Sequence, residues 1–254
     1  METERLLDEG EYIQAAMVSA EKLTQFIQQR VARLTAVVQE EAENGEMLTK
    51  PDIIREVAFI ASMMTVEPFQ NIYSKYSQTR LERDSQKDGK GIWKAMLDQR
   101  ADIEIELAKN RALVVAGVGL DFKEFQNSFD IQCQNLGFRN EIDKFLSILE
   151  NSACCFVRKE VSAEQGKNLI ETQIAIYPTV KYKLGNVKDT IELRTKVTCD
   201  RASAKVGVLI PDFYHSRTTL FDDREIYNLV SRYQEIVNMD EEELREEERA
   251  DQED

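Results

Sequence analysis

From Ile13 the residues Met17, Ala20, Thr24, Ile27, Val31, Leu34 and Val38 follow at alternating steps of four and three. Side chains at that spacing fall on one seam of an α-helix, and apart from Thr24 every one of them is apolar. Leu23 and Phe26 widen the seam, and Asn44-Gly45 supplies a left-handed stop after it. The spacing predicts a helix of about 32 residues, close to 48 Å long. A small core cannot cover a seam of that length. The helix must pack on neighbouring helices of its own chain or on a second copy, and Ile13, Met17, Ile27, Val31, Leu34 and Val38 are the self-association candidates in the latter case.

More helical patterns follow. Thr49-Lys50-Pro51-Asp52 reads as a helix start ahead of Ile53, Ile54, Val57, Ile60, Ala61 and Met64. Glu67-Pro68 opens another, with Phe69, Ile72, Tyr73 and Tyr76 at helical spacing, and residues 85–91 form a polar loop. Helices are also expected from Trp93 to about Leu113, along the stripe Phe122, Phe125, Phe129 and Cys133, and through Ile142, Phe145 and Leu149. Gly117-Val118-Gly119 lacks the spacing of a phosphate-binding loop and reads as a turn.

From Cys154 the pattern changes to a period of two, which predicts strands at Cys154–Val161, Leu169–Tyr177, Val180–Leu184, Thr190–Thr198 and Lys205–Ile210. Short turns between them imply an antiparallel sheet of four or five strands. Ile191, Leu193, Thr195 and Val197 alternate with Glu192, Arg194, Lys196 and Thr198, while Lys181 and Lys183 alternate with Val180, Tyr182 and Leu184. The sheet would then carry one apolar face and one basic face. A closing helix is expected from about Asp222 to Val237.

The expected fold class is therefore α+β, with a helical region over residues 1–150, a sheet and terminal helix over 151–239, and an acidic, frayed tail over 240–254. The division rests partly on charge. The net charge is -14, yet residues 151–220 hold 11 bases against 7 acids, and residues 240–254 hold 10 acids against 2 bases. A tail so charged and so poor in apolar area repels itself. It either keeps the protein soluble or competes for a basic surface, its own or a partner's.

Composition narrows the setting. Four scattered cysteines with no CxxC pair read as reduced thiols, which together with an acidic start lacking any apolar run predicts a soluble, cytoplasmic protein. The longest apolar run, Ala112 to Leu120, is far below the roughly 20 residues a spanning helix needs, so no membrane partner is expected.

Little chemistry is offered. The one histidine, His215, stands in Asp212-Phe213-Tyr214-His215-Ser216-Arg217 without a nucleophile motif, and the cysteines lack zinc-ligand spacing. No cofactor or metal is expected. Asp98, Asp102 and Glu106 recur every four residues and could meet a cation only if a facing helix added ligands. The reading that remains is a non-enzymatic interaction and assembly module engaging a charged macromolecular partner, a protein or another copy of itself. Lys181, Lys183, Arg194, Lys196, His215 and Arg217 are the partner-binding candidates. The alternatives are a nucleic-acid-binding protein with an autoinhibitory acidic tail, an acidic mimic of nucleic acid, and, last, a carboxylate-metal enzyme.

Overall fold

A computed structural model describes residues 20–45, 50–152, 159–216 and 220–253. Among them there is no β-strand. The helices are α1 (Ala20–Glu43), α2 (Pro51–Met64), α3 (Val66–Ser85), α4 (Gly89–Val118), α5 (Phe122–Cys133), α6 (Leu136–Ser152), α7 (Ala163–Ile176), α8 (Val187–Val206), α9 (Ile210–His215) and α10 (Arg224–Glu253), with a 3₁₀ turn at Tyr177–Thr179. The chain divides into two compact units, one of residues 1–72 and 100–157, the other of 73–99 and 158–254. It passes between them inside α3 and inside α4.

In the first unit α2 is the central element. Its residues from Ile53 to Met63 are buried except Arg55, and Pro51 starts it with a preset backbone angle and no side-chain cap from Lys50. Thr49, the cap expected from sequence, lies outside the described residues. Leu34 and Val38 of α1 enter the same core as Ile54, Val57, Val115 and Phe125, and Ile27 and Val31 pack at its edge. Arg30, also on α1, is buried with Glu56 of α2, Nε lying 2.8 Å from Oε1. Gly45 ends the α1 segment in the left-handed region at φ 69°, as its sequence suggested.

The second unit overturns the α+β expectation. Leu169–Tyr177 lies in α7 and the turn after it, Thr190–Thr198 lies inside α8, and Lys205–Ile210 spans the end of α8 and the start of α9. Val180–Leu184 has no ladder partner, and 154–158 lies outside the described residues. The reason is visible in α8. Leu193 and Val197 belong to the alternating row, but they also stand four apart, and with Thr190 they make the buried set at steps of three and four. Ile191 and Thr195, the row's other members, are only half buried. A short row rich in β-branched residues fits both periods, and packing decides.

The end signals of these helices are local and specific. Ser162 and Gln165 form a reciprocal capping box at the start of α7, in the interval between the first two expected strands. Gly166 serves close packing there, since a Cβ would lie 3.3 Å from Phe213 Cε2. Asn186 accepts the Asp189 N–H at 2.7 Å to open α8, and Gly207 closes it at φ 73°.

The core of this unit has two clusters. One joins Leu169, Ile170, Ala202, Phe213 and Ile226; the other joins Ile92, Met96, Val180, Leu193 and Val197. Residues 240–253, read from composition as a frayed tail, continue α10. The apolar face of the helix runs through Ile226, Val230, Tyr233 and Ile236, is interrupted by Asp240, and resumes at a buried Leu244. Its inner face therefore stays anchored within the acidic stretch.

Candidate functional site

Charged side chains in the second unit fall into a buried set and a surface set. Arg80 and Asp200 are fully buried, with Arg80 Nε 2.6 Å from Asp200 Oδ2, and Gln99 and Ser77 hydrogen bond to the same pair. One helical turn along α3, Asp84 receives Arg201 in a two-point contact of 2.6 Å each, and the Tyr182 hydroxyl donates to it at 2.9 Å. Burial, then the bond to Asp84, pushes the Tyr182 phenol up to about 12. This set ties α3 to α8 and to the 180–184 segment. Its charges are matched within the fold.

The surface set is centred on Asp240 of α10. Its two carboxylate oxygens accept from the Tyr177 hydroxyl at 2.8 Å and from the Arg194 guanidinium of α8. Burial and the bond to Asp240 raise the Tyr177 phenol well above its ordinary range, although Arg194 opposes the shift. The Tyr177 ring packs edge-on against Tyr233 with centroids 5.8 Å apart, which fixes α10 over the 3₁₀ turn. One side of this junction is open. A groove of about 300 Å³ runs there, lined by Lys181, Arg194, Asp240, Glu243 and apolar groups of Val180 and Ile236, among others. Lys181 and Glu243 make no hydrogen bond or ion pair with any described residue.

The four cations expected to share a sheet face do not converge. Arg194 and Lys196 stand two apart on a helix, so they leave it about 200° apart. Lys196 lies over the Tyr73 ring, 5.2 Å from its centroid. Lys183 pairs with Glu247 of α10 at 3.0 Å, and Lys181 reaches the groove. Only Lys181 and Arg194 are brought together. The side chain of His215, which ends α9, and all of Arg217 lie outside the described residues. Asp212 and Ser216, in the same sequence segment, accept the backbone N–H groups of Lys159 and Val161 and so brace the fold.

Among the self-association candidates Leu34 and Val38 are buried in their own unit, Ile27 and Val31 are half buried, and Ile13 and Met17 lie outside the described residues. The carboxylate row does not gather either: Asp98 is exposed and Glu106 pairs with Lys109 at 2.6 Å. No group of three His, Cys, Asp or Glu side chains among the described residues could hold a metal ion. No helix among them is long and apolar enough to cross a membrane.

Of the groove residues the sequence singled out only Lys181 and Arg194; Tyr177, Ile236, Met239, Asp240 and Glu243 are among those missed. A signal for the last two existed. Leu244 lies on the same helical face as Ile236, eight residues on and across Asp240, and that lone apolar position was the signal that Asp240 and Glu243 belong to a docked helix. No family model, curated protein or solved structure matches the chain.

Proposed function

We propose that the protein is a non-enzymatic interaction module that engages a basic macromolecular partner through the outer face of α10. One observation carries this reading. Glu235, Met239, Glu242 and Glu246 follow at steps of four, three and four, all exposed, on a helix whose opposite face is held by Tyr233, Asp240 and Leu244. A rigid row of carboxylates loses less conformational freedom on binding than a loose tail does. It also steers a cationic surface toward it in a salt-dependent way. Met239, at 61% exposure, adds an adaptable apolar contact within the row. Since Ile27, Val31, Leu34 and Val38 of the α1 seam pack on their own unit, the partner contact is assigned to α10 and not to that seam.

The test is a titration of the full chain with a short oligolysine peptide, followed residue by residue by nuclear magnetic resonance. Binding that weakens as salt is added, with the largest shifts at Glu235 to Glu246, supports the reading. Absence of binding at low salt, or shifts concentrated elsewhere, overturns it.

A second reading, nucleic-acid binding restrained by acidic residues, is favoured by the pairs Lys183–Glu247 and Arg194–Asp240, in which residues of the acidic stretch occupy two of the partner-binding candidates. In that reading the double variant Asp240→Asn, Glu247→Gln binds single-stranded DNA more tightly than the parent. Equal or undetectable binding by both proteins removes it.

A further inference from the structure

We propose that the groove beside Tyr177 binds a small zwitterion carrying an apolar side chain, with the chemistry of a free α-amino acid. The charges that line it are of two kinds. Arg194, Asp240 and Tyr177 are tied to one another and form a fixed wall. Lys181 and Glu243 have no partner among the described residues, so one ammonium and one carboxylate stand unpaired around the same opening. A simple anion would gain Lys181 and meet the repulsion of Glu243 and Asp240, and a simple cation would meet the converse. A ligand with both charges satisfies both sides.

The rest of the lining agrees. Pro178, Val180, Ile236 and Met239 give an apolar surface beside the charges, suited to an aliphatic or aromatic side chain. Arg194 Nε is a buried donor without an acceptor among the described residues, and the ligand carboxylate is of the right kind to supply one. The volume, about 300 Å³, stands at the small end of ligand pockets and suits a single amino acid better than a nucleotide. In this arrangement Lys181 takes the carboxylate, Glu243 takes the ammonium and Met239 adapts to the side chain. The groove shares Met239 with the outer row of α10, but the charges that carry the inference, Lys181 and Glu243, lie outside that row.

The experiment is calorimetric titration of the full chain with L-leucine, L-methionine and L-phenylalanine, each beside its N-acetyl form and its methyl ester. At least one free amino acid is expected to saturate a single site. Blocking either end should weaken that binding about tenfold or more, as should Lys181→Gln or Glu243→Gln, since each removes a charge-assisted contact. Both positions are exposed, so the variants keep the fold, and Glu171→Gln, exposed on α7 away from the groove, serves as the unaffected control. The proposal is overturned if none of the three binds at millimolar concentration, if the blocked forms bind as well as the free one, or if the two variants bind like the parent.

Discussion

Arg80 and Asp200, 120 residues apart in the chain, meet with Nε 2.6 Å from Oδ2 at side-chain exposures of 0% and 1%. Two charges so removed from water hold each other in place, and the loss of either leaves the other stranded. Asp200→Ala should therefore destabilise the protein by about 3–5 kcal/mol in denaturant unfolding, and Arg80→Met similarly. The double variant Arg80→Met, Asp200→Leu should recover much of that loss, because no lone charge remains. A double variant as unstable as the sum of the singles would show that the two positions are not coupled, and would contradict the stranded-charge reading.

Gly89 and Tyr182 give a second prediction. A Cβ at position 89 would lie 2.7 Å from Tyr182 Cδ1, so Gly89→Ala must displace the ring that donates to Asp84. The expected cost is about 1–3 kcal/mol. The pH dependence has a definite sign. The Tyr182 phenol titrates near 12 in the folded protein against 10.0 ordinarily, so it favours folding below pH 10 and that contribution is lost as pH rises toward 12. Ultraviolet titration of the phenolates should show late-ionising tyrosines, Tyr177 and Tyr182 among them, and Tyr182→Phe should remove one of these while Gly89→Ala brings that one down. An unchanged titration in Gly89→Ala would contradict the steric link.

How much of this was legible in the sequence differs between the two units. In the first, apolar runs at helical spacing, a Pro at a helix start and Gly45 after an Asn each carry one meaning, and α1, α2 and α4 follow from them. In the second, the Val, Ile and Thr content of 187–206 favours strands, and the alternating row through Leu193 and Val197 shares both members with the helical set. The capping box at Ser162 and Gln165 and the Asn186 cap were the discriminating signals. Each also reads as a turn, because Ser, Asn and Gly serve both purposes. Asp240 escaped for another reason: charge density alone marks a tail, while burial of Leu244 and the contacts of Tyr177 and Arg194 come only from the fold.

The capping box can be tested directly. Ser162→Ala removes the acceptor of the Gln165 N–H and should cost about 1 kcal/mol, with Ser162→Asn or Ser162→Asp close to the parent. Chemical unfolding of the three variants measures this. Equal loss from all three would mean that the hydroxyl serves some purpose other than capping.

Asp240 and Glu247 both pair with bases, but in different surroundings. The Arg194–Asp240 pair is mostly buried and Asp240 also accepts from Tyr177, whereas Lys183 and Glu247 are about 60% exposed. Asp240→Ala should then destabilise by about 2–3 kcal/mol and Glu247→Gln by less than about 1 kcal/mol. Added salt should narrow the Glu247 effect further. Thermal or chemical unfolding at two ionic strengths distinguishes them, and equal costs would contradict the burial argument.

The most direct test of the interaction reading compares two variants of equal charge. One neutralises the outer row of α10 by Glu235→Gln, Glu242→Gln and Glu246→Gln; the other neutralises Glu67, Glu160 and Glu171, which are exposed elsewhere. Affinity for a labelled oligolysine peptide should fall about tenfold or more in the first and change little in the second, because local charge acts within a Debye length of about 8 Å at physiological salt. Equal losses in the two variants would show that net charge alone attracts the peptide and that α10 holds no partner site.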